Sequence, residues 1–202
     1  LAWMLVLVAH AGPVSAQAAL DEKAALDAAI AAVKPALVRI HVVETYYREG
    51  RELKFEASGS GAVITPEGHV ITNHHVAGHA KIITCTFSNK EEISARLVGT
   101  DPLTDIAVLQ LEPEEPRTFP IAEFGDSDQV EVGDTVFAMG SPQSLSQSVT
   151  QGIVSNTEMI LPSWMNRFGG MELDGENVGA LVRWLAHDAA IYGGNSGGPL
   201  VD

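Results

Sequence analysis

Short runs of β-branched and other apolar residues follow one another along most of this chain. They cover residues 36–43, 62–65, 70–72, 81–87, 93–98, 106–111, 135–139 and 148–155. Gly, Pro, Asn and Asp separate the runs, a pattern typical of antiparallel sandwiches and barrels. With 202 residues and 46% hydrophobic composition, the chain has enough apolar surface for one large core or two small ones. We therefore expect an all-β protein.

The N-terminal segment departs from this pattern. Residues 1–16 contain no Asp, Glu, Lys or Arg, and their first nine residues are an apolar run followed by small residues. This arrangement is typical of the hydrophobic and cleavage regions of a secretory signal. We predict that residues 1–18 are a signal peptide, incomplete at its N-terminus. A longer, uncleaved form would instead anchor the protein to a membrane.

A helix and a later hinge complete the predicted organisation. Residues 19–33 are alanine-rich with apolar side chains at helical spacing, and Pro35 ends the pattern. Residues 112–117 contain two prolines and three acids, a composition typical of a linker. We predict that residues 19–112 form a short N-terminal helix and a first β unit, and that residues 113–202 form a second.

The charge balance excludes one class of partner. The net charge is −14, from 26 acidic and 12 basic residues. Nucleic-acid binding requires clustered Lys and Arg, so we expect no nucleic-acid partner. Cys85 is the only cysteine of the chain, which excludes an intrachain disulfide, and its strand-like surroundings predict a buried thiol.

One serine is surrounded by glycines near the end of the sequence. Residues 193–200 are Gly-Gly-Asn-Ser-Gly-Gly-Pro-Leu, with the serine at Ser196. A serine hydroxyl is a poor nucleophile until a base removes its proton. Flanking glycines let the backbone turn sharply and direct two N–H groups at one point, as a developing oxyanion requires. Ordinary glycine-rich turns share this pattern, so the interpretation depends on partners elsewhere.

Two upstream segments supply a base and a carboxylate. His74 and His75 follow an apolar run, and Asp105 begins another. Asp101 lies four residues earlier, next to Pro102, and is typical of a turn former. The resulting order His, Asp, Ser is that of the chymotrypsin arrangement and differs from those of subtilisin and the α/β-hydrolases.

These segments resemble the three active-site blocks of the HtrA/Deg family of trypsin-like serine proteases. The blocks are residues 72–76 (Thr-Asn-His-His-Val), 104–108 (Thr-Asp-Ile-Ala-Val) and 194–199 (Gly-Asn-Ser-Gly-Gly-Pro). Further similar blocks occur in the family's order at residues 33–40, 59–64, 125–128, 132–134, 138–142 and 149–155. Residues 156–186 resemble the family poorly.

The resemblance implies a chymotrypsin-type fold. We expect two six-stranded antiparallel β-barrels, with the second barrel truncated at the C-terminus of this chain. His75 and Asp105 then belong to the first barrel and Ser196 to the second, with the site between them. The family block selects His75, directly before Val76, and leaves His74 at the surface.

The resemblance also implies roles for individual residues. His75, Asp105 and Ser196 are expected to be the catalytic triad, and the N–H groups of Gly194 and Ser196 the oxyanion hole. The expected substrate-binding residues are Ala190, Ile191 and Tyr192. Their pocket is expected to take small or medium aliphatic side chains.

By the same resemblance, we expect a serine endopeptidase that hydrolyses misfolded or unfolded envelope proteins through an acyl-enzyme. Its location would be periplasmic or secreted, and its assembly a homo-oligomer, a trimer in the family. Two alternatives stay open: a peptide-binding chaperone or scaffold on a protease fold, and a regulatory protease of one signalling substrate.

No cofactor or metal is expected. His75 and His79 have the i, i+4 spacing of a helical metal pair. The Glu of the His-Glu-x-x-His zinc motif is missing, however, and no third ligand stands out in the sequence.

Overall fold

The computed structural model describes residues 16–141, 148–160, 172–178 and 182–202. Residues 1–15, which make up most of the predicted signal peptide, lie outside the described residues. Within the described ranges, no helix is both long enough and apolar enough to cross a membrane.

Helix α1 precedes the strands and covers Ala16–Val33. It includes the whole predicted helix and begins three residues earlier. Ala29 and Val33 are buried in a small apolar cluster with Phe137 and Met139. Most of the stability of such a helix comes from this packing rather than from helix propensity, so α1 is fastened to a later part of the chain.

Six antiparallel strands then form a closed barrel. They are β1 (Leu37–Arg48), β2 (Arg51–Val63), β3 (His69–Asn73), β4 (Ile82–Thr86), β5 (Glu92–Asp101) and β6 (Ile106–Glu112). Their order is β1-β2-β3-β6-β5-β4, and β4 pairs again with β1. Closure removes the free edges through which sheets aggregate, and it gives the loops at the barrel's end a rigid base.

Alternate side chains of β1 point into the barrel and contribute to its core. Val38, Ile40 and Val42 are fully buried and belong to the same cluster as Leu109 of β6 and Cys85 of β4. Burial raises the pKa of the Cys85 thiol to about 12, because the thiolate would lose its hydration. The prediction of a buried thiol is confirmed.

The hairpin between β1 and β2 extends well beyond the predicted strands. Glu49 and Gly50 form its two-residue turn with φ values of 53° and 75°. Two left-handed residues in succession are what a type I′ turn requires, and Arg48 pairs with Arg51 directly across it. The first six residues of β2 are exposed, so they lack the apolar pattern by which a strand is recognised.

The end of the predicted hinge and the residues just after it pack against the first barrel. Phe119 is buried, and its N–H donates to the Pro66 carbonyl over 3.0 Å. Arg117 forms an ion pair with Glu91 and lies over the Phe119 ring, 4.7 Å from its centroid. Hydrogen bonding to the Arg117 guanidinium lowers the pKa of Glu91 below its ordinary value. These contacts hold the start of the second unit against the barrel.

The remaining strands form a second, open sheet and a small hairpin. They are β7 (Thr135–Gly140), β8 (Ser148–Met159), the hairpin of β9 (Glu172–Leu173) and β10 (Glu176–Asn177), β11 (Trp184–His187) and β12 (Leu200–Val201). The sheet has the order β11-β8-β7-β12. The described residues are therefore all-β and poor in helix, with one closed barrel and a four-stranded sheet beside it.

Candidate active site

The predicted base, His75, lies in a short helix that directly follows β3. β3 ends at Asn73, and helix α2 (His74–Ala77) begins at the next residue. Asn73 has an extended backbone, with φ −85° and ψ 150°, and its side-chain amide donates to the Asp105 carbonyl over 2.9 Å. The chain thus turns directly before His75, and this turn is bonded to the loop that carries the predicted acid.

Asp105 occupies an uncommon backbone conformation. It directly precedes β6 and has a φ of 56°, a left-handed value that Asp and Asn tolerate better than most residues. Its carbonyl accepts hydrogen bonds from the His74 N–H, over 3.0 Å, and from the Asn73 side chain. These two bonds stabilise the conformation and direct the carboxylate at the start of α2.

The Asp105 carboxylate binds His75 through both of its oxygens. Oδ2 lies 2.7 Å from the ring Nδ1, and Oδ1 accepts from the His75 backbone N–H over 2.9 Å. Asp105 is only 8% exposed, whereas the His75 side chain is 41% exposed. Because an ionised carboxylate only accepts hydrogen bonds, Nδ1 carries the proton and Nε2 of the neutral ring is left to accept one. A general base requires this orientation.

Asp101, the competing acid, has the turn-forming role predicted for it. Its Oδ1 accepts from the Leu103 N–H over 3.1 Å, and its Oδ2 accepts from the Thr104 hydroxyl over 2.8 Å. Both oxygens are used inside the loop between β5 and β6, which leaves Asp105 as the carboxylate that contacts His75.

The turn that carries Ser196 is attached to the first barrel through Ser60 on β2. The Ser60 N–H donates to the Ser196 carbonyl, and the Ser60 hydroxyl donates to the Gly194 carbonyl, each over 2.7 Å. The same hydroxyl accepts from the Ser141 N–H over 2.9 Å. Ser60 is fully buried, so each of these groups would be costly to leave unpaired. One buried serine therefore fixes the turn on both sides of Asn195.

Two glycines allow the turn to approach this closely. Gly197 has a φ of 81°, and a Cβ there would lie 2.3 Å from the Ser60 carbonyl oxygen and 2.3 Å from Thr72 Oγ1. A Cβ at Gly198 would lie 2.1 Å from the Met139 carbonyl oxygen. Any side chain at these positions would push the turn away from β2 or β7.

The same turn meets helix α2. A Cβ at Gly59 of β2 would lie 2.6 Å from the Val76 side chain and 3.1 Å from the Ser196 carbonyl oxygen. The backbone segments that carry His75 and Ser196 therefore come together at this glycine. Among the described residues, no hydrogen bond joins Ser196 Oγ to His75. Such bonds are often long in a ligand-free site and shorten when substrate binds.

The predicted oxyanion donors lie in a turn closed by other groups. Gly194 has a φ of 103°, which glycine adopts without strain. The Asn195 N–H donates to the Tyr192 carbonyl over 3.0 Å, and the Gly198 N–H donates to the Asn195 carbonyl over 2.8 Å. In the described part of the chain, the N–H groups of Gly194 and Ser196 donate to no protein acceptor.

The predicted pocket residues lie immediately before this turn. The Ala190 carbonyl accepts from the Thr150 hydroxyl over 2.8 Å, which fastens the segment to β8. Ile191 and Tyr192 are 56% and 58% exposed. Both residues are therefore exposed to solvent.

His74 is buried, and the prediction of a surface position is wrong. It is 3% exposed, with Nδ1 2.6 Å from Thr100 Oγ1 and Nε2 3.0 Å from Asp174 Oδ2. His79 Nε2 lies 2.9 Å from the other oxygen of Asp174, and this hydrogen bond lowers the carboxyl's pKa. Asp174 belongs to the segment that resembles the family least, so the sequence did not indicate the contact.

Sequence reasoning also missed the part that Ser60 plays in the site. It identified residues 59–64 only as a block that resembles the family. The available clue is the run of small residues Gly59, Ser60 and Gly61, since glycine inside a strand often marks the close approach of another backbone.

The fold and the site define a trypsin-like peptidase domain. The family model described as a trypsin-like peptidase domain matches residues 59–202. The chain is 39% identical over 153 residues to a probable periplasmic serine endoprotease DegP-like of Pseudomonas putida (strain GB-1), a match covering 76% of this chain and 28% of that protein. The protein of the same description from Rickettsia conorii is 38% identical over 143 residues, covering 70% of this chain and 25% of the relative.

Solved structures agree with these relatives. The HtrA-type protease AlgW with tripeptide matches with a TM-score of 0.68 and 30% identity, over 86% of this chain and 49% of that one. AlgW with decapeptide matches with a TM-score of 0.66 and 28% identity, over 86% of this chain and 54% of that one. The chain belongs to the HtrA/Deg family of trypsin-like serine proteases. It spans about 28% of the length of the first curated relative.

Proposed function

We propose that the protein is a serine endopeptidase in which Ser196 is the nucleophile, His75 the general base and Asp105 the residue that orients the base. The observation that carries this proposal is the double contact between Asp105 and His75, through Nδ1 at 2.7 Å and through the backbone N–H at 2.9 Å. It leaves Nε2 of a partly exposed ring free to accept a proton, and the backbone that carries this ring meets the turn with Ser196 at Gly59.

The mechanism follows from these positions. His75 Nε2 takes the proton of Ser196 Oγ as the oxygen attacks the scissile carbonyl. Asp105 keeps the proton on Nδ1 and stabilises the imidazolium that forms. His75 then protonates the leaving amine, which leaves an acyl-enzyme, and a water activated by the same base hydrolyses the ester.

The oxyanion of the tetrahedral intermediate is stabilised by the Gly194 and Ser196 N–H groups. Their lack of a protein acceptor within the described chain supports this role. Loss of one such donor costs about 3–4 kcal/mol of transition-state stabilisation in a comparable site. Ala190, Ile191 and Tyr192 line the substrate pocket and accept small or medium aliphatic side chains.

The fold of the whole protein extends this arrangement. The closed barrel is the first of two six-stranded barrels, with a domain boundary at residues 112–113. The open sheet β11-β8-β7-β12 forms part of the second. The likeness to the AlgW structures, over 86% of this chain, supports this assignment.

Misfolded or unfolded envelope proteins are the proposed substrates, and the periplasm is the proposed location. The names of the relatives from Pseudomonas putida and Rickettsia conorii, probable periplasmic serine endoproteases, support the location and protein substrates. A homo-oligomer, a trimer by family resemblance, is the proposed assembly, and sedimentation of the full-length protein measures its size.

Covalent labelling of the full-length protein tests the proposed triad. A fluorophosphonate probe should label Ser196, identified by mass spectrometry of the modified peptide. Labelling should be lost in His75→Ala, because the hydroxyl then has no base; removal of such a base costs roughly a millionfold in turnover in subtilisin. His41→Ala, which removes a histidine bonded to Glu56 on the outside of the barrel, should label like the wild type.

Two results would overturn the proposal. One is equal labelling of the wild type and His75→Ala. The other is a folded wild type that neither labels nor cleaves an unfolded protein but still suppresses its aggregation, which would favour a peptide-binding scaffold.

A further inference from the structure

Three potential metal ligands from distant parts of the chain meet beside the predicted active site. His74 and His79 lie at and just beyond helix α2, and Asp174 lies in the turn between β9 and β10. His74 Nε2 is 3.0 Å from Asp174 Oδ2, and His79 Nε2 is 2.9 Å from Asp174 Oδ1. One potential ligand atom from each residue lies within 4.8 Å of the other two. None of the three belongs to the pair of His75 and Asp105.

The hydrogen bonds around His74 determine which of its nitrogens can bind an ion. Thr100 Oγ1 donates its single proton to the Ile106 carbonyl over 3.1 Å. It must therefore accept from His74 Nδ1, 2.6 Å away. Nε2 is then the nitrogen that faces Asp174, 3.0 Å from Oδ2. A divalent cation bound to the Nε2 lone pair can replace the proton that an imidazolium would share with this carboxylate.

The position of the His74 ring is fixed in advance. Its side chain is only 4% exposed, and a Cβ on Gly78 would lie 2.4 Å from Nδ1. The ring therefore packs directly against a glycine backbone on one side, while Thr100 holds its Nδ1–H. Metal-bound histidines are typically oriented by such a hydrogen bond from the second ring nitrogen.

We propose that His74 Nε2, His79 Nε2 and the Asp174 carboxylate form a binding site for a divalent transition-metal ion of the Zn²⁺ type. Two imidazoles and a carboxylate are ligands that Zn²⁺ accepts, with water in a fourth position. Tetrahedral Zn²⁺ with bonds of about 2.0–2.1 Å separates its ligand atoms by roughly 3.3 Å. The two contacts to Asp174, 2.9 and 3.0 Å to different carboxylate oxygens, need to open by a few tenths of an ångström. Ligand atoms that now lie up to 4.8 Å apart must close toward the same separation, which the exposed side chains of His79 and Asp174 allow.

The exposure of the ligands agrees with an ion that exchanges with solvent. The side chains of His79 and Asp174 are 59% and 44% exposed, so an ion can enter from the surface while His74 supplies a fixed ligand from below. The bound ion would join the β9–β10 hairpin to helix α2, in which His75 follows His74. The site thus connects the segment least like the family to the helix that carries the predicted base.

Metal binding to the full-length protein tests the proposal without any assay of activity. The protein is stripped with a chelator, dialysed and titrated with Zn²⁺ by calorimetry, and retained zinc is counted by mass spectrometry. We expect one equivalent in the wild type. His79→Ala and Asp174→Asn should each weaken binding by at least about 100-fold, the upper end of the losses seen when even an outer-shell partner is removed.

The variants are chosen so that the fold survives. His79 is exposed, and Asn is used at position 174 because Asp174 has a φ of 52°, which Asn tolerates. His41→Ala is the matched control, because it removes an exposed histidine whose Nε2 lies 3.3 Å from a single carboxylate, Glu56. It should bind zinc like the wild type, and thermal melting in chelator should show all variants folded.

Two outcomes would overturn the metal site. One is the absence of stoichiometric binding in the wild type, which would mean that the three side chains are held only by hydrogen bonds and charge. The other is equal affinity in the wild type and His79→Ala. Neither outcome depends on labelling of Ser196, so failure of the metal site and failure of the proposed protease function are distinguished.

Discussion

The closed barrel and the open sheet hold their parts of the site by different means. In the barrel, His75 and Asp105 lie on adjacent segments of one closed unit and are joined by two direct hydrogen bonds. On the sheet side, the turn with Ser196 is positioned by contact with the barrel, through buried Ser60 and through glycines that leave no space for a side chain. The proposed base is therefore oriented by hydrogen bonds within one region, and the proposed nucleophile by packing between two regions.

This difference predicts two kinds of failure. A substitution in the barrel pair should remove activity while the structure is retained, since the strands around it are closed on both sides. A substitution at the contact should move Ser196 and lower stability together, since the same atoms do both tasks.

Of the four substitutions that compare the two regions, Asp105→Asn should have the largest effect. An amide in place of the carboxylate can donate to Nδ1 and so favours the wrong tautomer of His75; the corresponding change in a chymotrypsin-type triad lowers kcat by about 10⁴-fold. Thermal stability should change little, because Asn tolerates the left-handed backbone. The rate of fluorophosphonate labelling measures the first effect and calorimetry the second. Asp101→Asn is the control. A similar loss of labelling rate in that variant would contradict the assignment of Asp105 as the residue that orients His75.

Gly197→Ala should give the next largest effect. Its Cβ would lie 2.3 Å from the Ser60 carbonyl oxygen, so the turn must move, and a displacement of about 1 Å can cost roughly 100-fold in rate. The proton between His75 and Asp105 should still be visible by NMR, because the barrel is unaffected. Gly125→Ala, where a Cβ would meet nothing within 4 Å, is the control. An unchanged labelling rate in Gly197→Ala would contradict the packing account.

Ser60→Ala should lower stability by about 1–3 kcal/mol, since it leaves the Ser141 N–H and the Gly194 carbonyl without their buried partner. Labelling of Ser196 should slow as the turn loosens. Urea unfolding measures the stability, with Ser58→Ala as the control two residues earlier on the same strand. If Ser60→Ala unfolds at the same urea concentration as Ser58→Ala, the contact does not hold the two regions together.

Glu91→Gln should have the smallest effect, because the ion pair with Arg117 is exposed and exposed pairs contribute little. The Arg117 hydrogen bond lowers the pKa of Glu91 below its ordinary value of 4.5. Its contribution is therefore present above that value and lost as the pH falls through the lowered pKa. Melting temperatures of the wild type and Glu91→Gln should differ slightly at neutral pH and converge in acid. A melting-temperature difference that grows as the pH falls would contradict the lowered pKa of Glu91.

Much of the fold could be predicted from the sequence. Each of the eight apolar runs overlaps one of the strands β1–β8, because burial requires alternating or continuous apolar residues. The exposed half of β2 was missed because a strand held mainly by its hairpin partner needs no apolar pattern. β9, β10 and β12 have two residues each, too few to form any pattern.

Site residues could be predicted only where a short sequence motif marks them. The motifs around His75, Asp105 and Ser196 indicate candidate residues, because reactive side chains need particular neighbours in sequence. Ser60 and Asp174 act through contacts with distant segments, which a motif does not encode. The burial of His74 depends on Thr100 and on the β9–β10 hairpin, which are distant in sequence. The residues around His74 in the motif therefore did not indicate it.

The contact between Ser60 and Gly194 also has a consequence for the order of folding. It joins residues 134 positions apart, whereas His75 and Asp105 are separated by only 30. All six barrel strands precede residue 113, so the barrel can close during synthesis before residue 194 exists. Long loops close late because their entropy cost rises with length. On the proposed roles, a growing chain would therefore pair His75 with Asp105 before Ser196 has been synthesised.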